Sequence, residues 1–254
     1  MVDPKGKGVL VIGGASGMAK ASAELLAERG SRIAVLDRPQ SAGAKVAEAL
    51  GGSFHACDVT DAAGTEAAID SAMEALGGSL HVLVNTAGGG IGKRTLTKEG
   101  PHSLDEFRGV VELNLVASFN AARLCAAHMA RNEPEDGERG VLISTASIAA
   151  FEGQIGQVAY AAAKAGIVGM VFVMARDLGT LGIRSLAIAP SLFATGLTDG
   201  IPDEFAAALT KDAAFPKRMG RSEEYGKLAV AIVENPMLNG TCIRLDGGQR
   251  FAPK

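Results

Sequence analysis

Short runs of β-branched and aliphatic residues recur along the chain, each followed by a longer, Ala-rich stretch with apolar residues at helical spacing. The runs are Val9–Ile12, Arg32–Leu36, Leu80–Asn85, Gly140–Ser144, Arg184–Ala189 and Cys242–Leu245, and Ser53–Ala56 adds a further strand. The segments between them predict helices over Ala19–Arg29, Ala42–Leu50, Ala62–Leu76, Leu104–Arg131, Val158–Leu178 and Ser222–Glu234. Most of the strands are apolar throughout instead of alternating, as a sheet covered on both faces requires.

Alternation of strand and helix over the whole length predicts an α/β fold, one doubly wound parallel sheet of about seven strands of the Rossmann type. Residues 1–254 are expected to form one domain, since no repeat or linker divides them. The polar stretch Asn132–Arg139, with its Pro and Gly, predicts a surface loop, and Ile91–Pro101 predicts another. Residues 191–217 mix Gly, Pro and apolar residues and are expected to form a mobile substrate lid.

Composition narrows the function. Apolar residues make up 47% of the chain with no Trp, so the core must rest on Ala, Val, Leu and Ile. A net charge of -3 argues against a nucleic-acid surface. The three cysteines and four histidines lack metal-ligand spacing, so no metal is expected. Lys5 and Lys7 precede an apolar stretch as in a signal peptide, but Gly13, Gly14, Ser16 and Gly17 break it. We therefore expect a soluble protein with no membrane association, and assign it to the cytoplasm.

The strand Val9–Ile12 runs into Gly13-Gly14-Ala15-Ser16-Gly17-Met18 and then a helix. Such a turn lets backbone approach a pyrophosphate at a helix N-terminus, which predicts cofactor contacts from Gly13, Ser16, Gly17 and Met18. Asp37 ends the next strand, where a dinucleotide fold places the acid that binds ribose hydroxyls. Its carboxylate would repel a 2′-phosphate, which favours NAD over NADP, although Arg38 could bind that phosphate. Asp58 and Val59 follow Ser53–Ala56 and are expected near the adenine, with a helix N-cap as the alternative for Asp58. Asn85, Ala87 and Gly88 close another strand, and Pro190, Leu192, Phe193 and Thr195 follow on from the strand Arg184–Ala189 into the lid. These complete the expected cofactor contacts.

Tyr160 and Lys164 lie four apart on one helix face, where the cation would lower the phenol pKa and allow proton exchange. Ser147 stands just past a strand end, and Asn114 lies in the long helix after Asn85. Gln154 and Gln157, between Ser147 and Tyr160, are candidates for substrate contact or for a structural role.

Together, the Gly13–Ala19 turn, Asn85-Thr86-Ala87-Gly88, Asn114, Ser147 and Tyr160/Lys164 resemble the short-chain dehydrogenase/reductase family over the whole chain. The resemblance implies that Ser147 holds the substrate oxygen and Tyr160 is the acid/base. It further implies that Lys164, besides lowering the tyrosine pKa, binds the cofactor's nicotinamide ribose (so Tyr160 and Lys164 also count as cofactor contacts) and that Asn114 supports a water relay. Ala150-Phe151-Glu152-Gly153-Gln154 and Ile243-Arg244-Leu245-Asp246-Gly247 are similar to one branch, the short-chain 3-hydroxyacyl-CoA dehydrogenases, also described as type-10 17β-hydroxysteroid dehydrogenases. That branch implies an NAD-linked homotetramer oxidising 3-hydroxyacyl-CoA esters and hydroxysteroids. A steroid or other secondary-alcohol dehydrogenase, and a non-catalytic NAD-binding scaffold, are the alternatives. Independently, the long helices are apolar around much of their circumference, which also predicts an oligomer. Lys93, Arg94 and Lys98 supply positive charge for CoA phosphates, or simply solubilise their loop. Ile12, Ala19 and Ser191 stand where the family usually has Thr, Gly and Gly.

Overall fold

The computed structural model describes residues 3–195 and 209–251. Seven parallel strands form the main sheet: β1 (Gly8–Ile12), β2 (Arg32–Asp37), β3 (Ser53–Ala56), β4 (Val82–Asn85), β5 (Gly140–Thr145), β6 (Ile183–Pro190) and β7 (Cys242–Leu245). Their spatial order is β3-β2-β1-β4-β5-β6-β7, so the order reverses between β1 and β4. At that reversal neighbouring connections leave on opposite faces and open a crevice at the carboxyl ends of the strands.

The uniform apolarity of the strands follows from two cores. In β1, Val9 and Val11 face one layer with Leu26, Val46, Tyr225 and Ile232, whereas Leu10 and Ile12 face the other with Ile69, Met73, Leu124 and Met129. The first layer is built by helices α1 (Gly17–Ala27), α2 (Gly43–Ala49) and, late in the chain, Ser222–Glu234; the second by α3 (Ala62–Ala75) and the long central helices. Those helices are α4 (Leu104–Val111), α5 (Ala117–Met129) and α6 (Val158–Leu178); Ser222–Glu234 is α7. The stretches Leu104–Met129 and Val158–Leu181 are long and apolar enough to cross a membrane, but much of that apolarity packs on the sheet.

Three expectations change. The helix expected over Leu104–Arg131 contains a π-turn at Glu112–Val116. The segment Ile91–Pro101 holds a small antiparallel pairing of Leu96–Thr97 with Gly100–Pro101. The stretch Asn132–Arg139 is not merely a surface loop: Asn132 and Glu138 are buried, and Glu138 pairs with Arg184 at 2.7 Å. Most of the segment assigned as a lid, 196–208, lies outside the described residues.

Candidate active site

A cleft of about 470 Å³ opens where the strand order reverses, walled among others by Gly13, Ser16, Gly17, Met18, Asp37, Asp58, Val59, Ala87, Gly88 and Thr195. Gly13 and Gly17 have φ of 79° and 55°, a region that favours glycine. A Cβ at Gly14 would lie 2.9 Å from both Val11 and Val35, so the turn packs tightly on the sheet. Ser16 occupies the N-cap of α1 without making a side-chain cap bond, which leaves its hydroxyl for another acceptor. These observations fit a dinucleotide whose pyrophosphate rests on the turn.

Asp37 has a second task that its position in the sequence did not announce. One carboxylate oxygen accepts the Ala15 N–H at 2.9 Å and the other accepts the Arg38 N–H at 2.7 Å, so it braces the glycine turn. Asp58 is not the N-cap of α3; Asp61 is, accepting the Gly64 N–H at 3.1 Å. Asp58 instead accepts from the Thr60 N–H and hydroxyl, which hold its carboxyl below the usual range. Phe193 is also reassigned: it is buried in the core against Gly220. Pro190 and Leu192 likewise stand away from the cleft wall, Pro190 paired with Leu245 at the end of β6. Where the family has a threonine at position 12, the Ile12 carbonyl accepts the Thr86 N–H at 3.0 Å and its hydroxyl at 3.3 Å. The turn is therefore tied to β4 by other means.

Beyond this cleft the proton-handling groups converge. Asn85 closes β4; its side-chain oxygen accepts the Ala87 N–H at 3.1 Å and shapes the turn to Gly88. Asn114 sits fully buried in the π-turn, donating to the Gly89 carbonyl at 2.6 Å and the Val110 carbonyl at 2.8 Å. The widened turn projects this side chain toward the sheet edge, a use π-turns often serve. Lys164 is buried on α6 and donates to the Thr145 carbonyl at 2.8 Å, with its ammonium 5.6 Å from the Tyr160 ring centre. A Cβ at Gly88 would lie 2.6 Å from Asn114 Oδ1 and 3.2 Å from Lys164 Nζ, so only glycine fits between the two.

Ser147 stands near enough to Tyr160 for its hydroxyl to favour the ionised phenol. Against the expected lowering, burial pushes the Tyr160 phenol up, and the nearby Ser147 hydroxyl offsets only part of that rise. Burial brings Lys164 itself down to about 8. Gln157 accepts the Gln154 N–H at 3.1 Å, so its side-chain oxygen braces the loop it belongs to.

Tyr225 was missed. It is fully buried on α7 and its hydroxyl bonds Thr145 Oγ1 at 2.7 Å, while that Oγ1 donates to the Asn85 carbonyl at 2.7 Å. It thereby fixes the strand ends that carry the site. It packs with Ala229 and Ile232 in the core, so the helical pattern of α7 holds no sign of its link to the site. Ile12, Leu36, Cys57, Thr60, Thr86 and Leu113 also line the cleft unannounced.

A cleft at a glycine-rich turn, with a serine, a phenol and a buried amine beyond it, is the arrangement of oxidoreductases acting on CH–OH groups. The chain belongs to the short chain dehydrogenase family, whose model matches residues 7–206. It is 46% identical to 3-hydroxyacyl-CoA dehydrogenase type-2 of Bos taurus, covering 98% of this chain and 97% of the relative. It is 44% identical to the Homo sapiens protein of the same description, with the same coverage. Among solved structures, 3-hydroxyacyl-CoA dehydrogenase type-2 from Mycobacterium avium superposes with a TM-score of 0.93 at 39% identity, covering 98% of both chains. This chain is accordingly an oxidoreductase of a family that typically depends on a nicotinamide dinucleotide.

Proposed function

We propose that this protein is an NAD-dependent dehydrogenase interconverting 3-hydroxyacyl-CoA and 3-ketoacyl-CoA esters. The convergence of Ser147, Tyr160 and Lys164 carries the chemical part, because it marks where an alcohol oxygen can be held between a donor and a base. Ser147 orients the substrate hydroxyl and Tyr160 takes its proton, so the C–O bond becomes a carbonyl as the C–H pair leaves as hydride. The bound nicotinamide supplies the hydride acceptor. Lys164 stands within reach of the cleft wall at Gly88 and can bind ribose hydroxyls while returning protons toward Tyr160. Asn114, held by Gly89 and Val110, fixes the turn beside them.

Three observations support the finer assignment. Asp37 lies in the cleft wall at the end of β2, where a 2′-phosphate would meet its carboxylate; this favours NAD. The relatives at 44% and 46% identity bear the 3-hydroxyacyl-CoA dehydrogenase description. Arg94 is exposed and lines a depression with Gly92, Ile155 and Gly156, well placed for a phosphate of the CoA moiety. Lys93 is already committed to Glu106 at 2.7 Å and contributes less than the sequence suggested. Exposed Phe119, Phe172 and Val173 on α5 and α6 support association of like subunits, and we infer a homotetramer. The free cysteines suit a reducing compartment, and we place the protein in the cytoplasm.

The deciding experiment is a panel of 3-hydroxyacyl-CoA esters, hydroxysteroids and simple secondary alcohols, each with NAD and NADP, followed by absorbance of the reduced coenzyme. The expected result is the highest kcat/KM for a 3-hydroxyacyl-CoA with NAD. Preference for a steroid would move the substrate class, and no turnover of any alcohol would leave only nucleotide binding.

A further inference from the structure

Ser147 and Tyr160 lie on different elements, and the loop between them, residues 148–157, must hold both in register for them to meet one substrate oxygen. We propose that the ion pair between Glu152 and Arg244 is a positioning device that clamps this loop onto the last strand of the sheet. Ser147 Oγ accepts the Ala149 N–H at 3.1 Å and opens a single 3₁₀ turn, Ile148–Ala150. Phe151 and Glu152 follow at once, and the Glu152 N–H returns to the Ile148 carbonyl at 2.9 Å. Any shift of Glu152 therefore passes to Ser147 through one short turn. On the far side, a Cβ at Gly153 would lie 2.9 Å from Ala161 Cβ, beside Tyr160 on α6, so the loop also abuts the helix that carries the phenol.

The clamp itself is thoroughly satisfied. Glu152 Oε1 lies 2.7 Å from Arg244 Nη2, and Oε2 accepts the Phe251 N–H at 2.9 Å. Asp246 fixes the other side of the guanidinium, 2.7 Å from Arg244 Nε. The guanidinium also stands 5.2 Å over the Phe151 ring. Side-chain exposures of 23% for Arg244, 19% for Glu152 and 8% for Asp246 show the charges withdrawn from solvent, where such bonds are stronger than on an open surface. Neither Glu152 nor Arg244 lines the nucleotide cleft, so the pair acts through Ser147 and Tyr160 instead of touching the cofactor. A catalytic pair misplaced by about an ångström loses on the order of a hundredfold in rate.

This role rests on the dehydrogenase reading of the site, and the test separates the two. Glu152→Gln keeps the shape and removes the charge; Arg244→Met keeps the stem; Arg244→Lys restores a cation without the planar fork. In the full chain, the first two should lose about ten- to a hundredfold in kcat. KM for the coenzyme and the midpoints of the pH profile should stay put, and the lysine variant should recover part of the loss. Hydrogen exchange should quicken at the amides of residues 149–152 while those of β5 keep their protection. A parent inactive on every secondary alcohol would fault the proposed function, yet the exchange pattern would still decide the clamp. Parent-like kcat and exchange in Glu152→Gln would overturn the positioning role, as would protection lost throughout the sheet.

Discussion

Charged side chains gather at both ends of the parallel sheet but are spent in different ways. Where the strands begin, Lys7 pairs with Glu135, and Arg184 bonds Glu138 at 2.7 Å. The same guanidinium also donates to the carbonyls of Ile232 at 2.8 Å, Leu238 at 2.9 Å and Val233 at 3.0 Å, which finishes the C-terminus of α7. Where the strands finish, Lys164 is as deeply buried, yet among the described residues its one hydrogen bond is to the Thr145 carbonyl. An ammonium has three donors. Lys164 keeps donors in hand where Arg184 spends its own on a carboxylate and several carbonyls, as expected where ligands bind beyond the carboxyl ends of strands.

That contrast can be broken from either side. The largest effect should come from Tyr160→Phe, which removes one oxygen from the reacting end. Steady-state kinetics should show kcat falling by about 10²–10⁴-fold, with the melting temperature nearly unmoved. Turnover close to the parent's would take Tyr160 out of the chemistry.

Arg184→Met makes the opposite cut. It leaves Glu138, whose side chain is 8% exposed, without its cation, and frees the carbonyls that end α7. Breaking such a buried pair costs about 3–5 kcal/mol, so calorimetry should record a fall in Tm on the order of 10 °C. The kcat of the protein that stays folded should remain within about twofold, on the reasoning that this end is support only. An unchanged Tm would mean the cluster is incidental.

A smaller effect sharpens the same distinction through pH. Burial, helped by the nearby Lys7, holds His81 down to about 4 from 6.5, and its Nδ1 accepts the Gly8 N–H at 3.3 Å. The unfolded chain takes up the proton near 6.5 and the folded chain only near 4, so His81 contributes fully above that window and its share is lost as pH falls through it. His81→Gln has no proton to gain. Its deficit in Tm relative to the parent should shrink between pH 7 and pH 4.5, without a change in kcat at neutral pH. A constant deficit would count against the histidine.

Much of this was legible in the sequence, and the failures have a common cause. All seven strands of the main sheet fall within two residues of their expected bounds, because β-branched runs covered on both faces leave few alternatives. The site residues Asn114, Ser147, Tyr160 and Lys164 were found by their resemblance to a family, and spacing alone supplied only the Tyr160/Lys164 face. What escaped was decided by tertiary partners. Arg184 read as the start of an apolar strand, and only the arrival of α7 gives its guanidinium work. Lys93 read as charge for a ligand until Glu106 claimed it. Tyr160 read as a lowered phenol, whereas burial raises it, with the Gly90 loop packed against its ring. The π-turn escaped because one wide turn scarcely disturbs a 3.6-residue period over so long a helix.

That wide turn also limits how the gene can change length. A π-turn holds one residue more than an α-helical path through the same space. Deleting a residue elsewhere in Leu104–Met129 would rotate all that follows by about 100° and swing an apolar face off the sheet. Deleting one within Glu112–Val116 would instead let the backbone close into a regular helix. It would also turn Asn114 away from Gly89, so the one deletion that mends the helix is the one that dismantles the site.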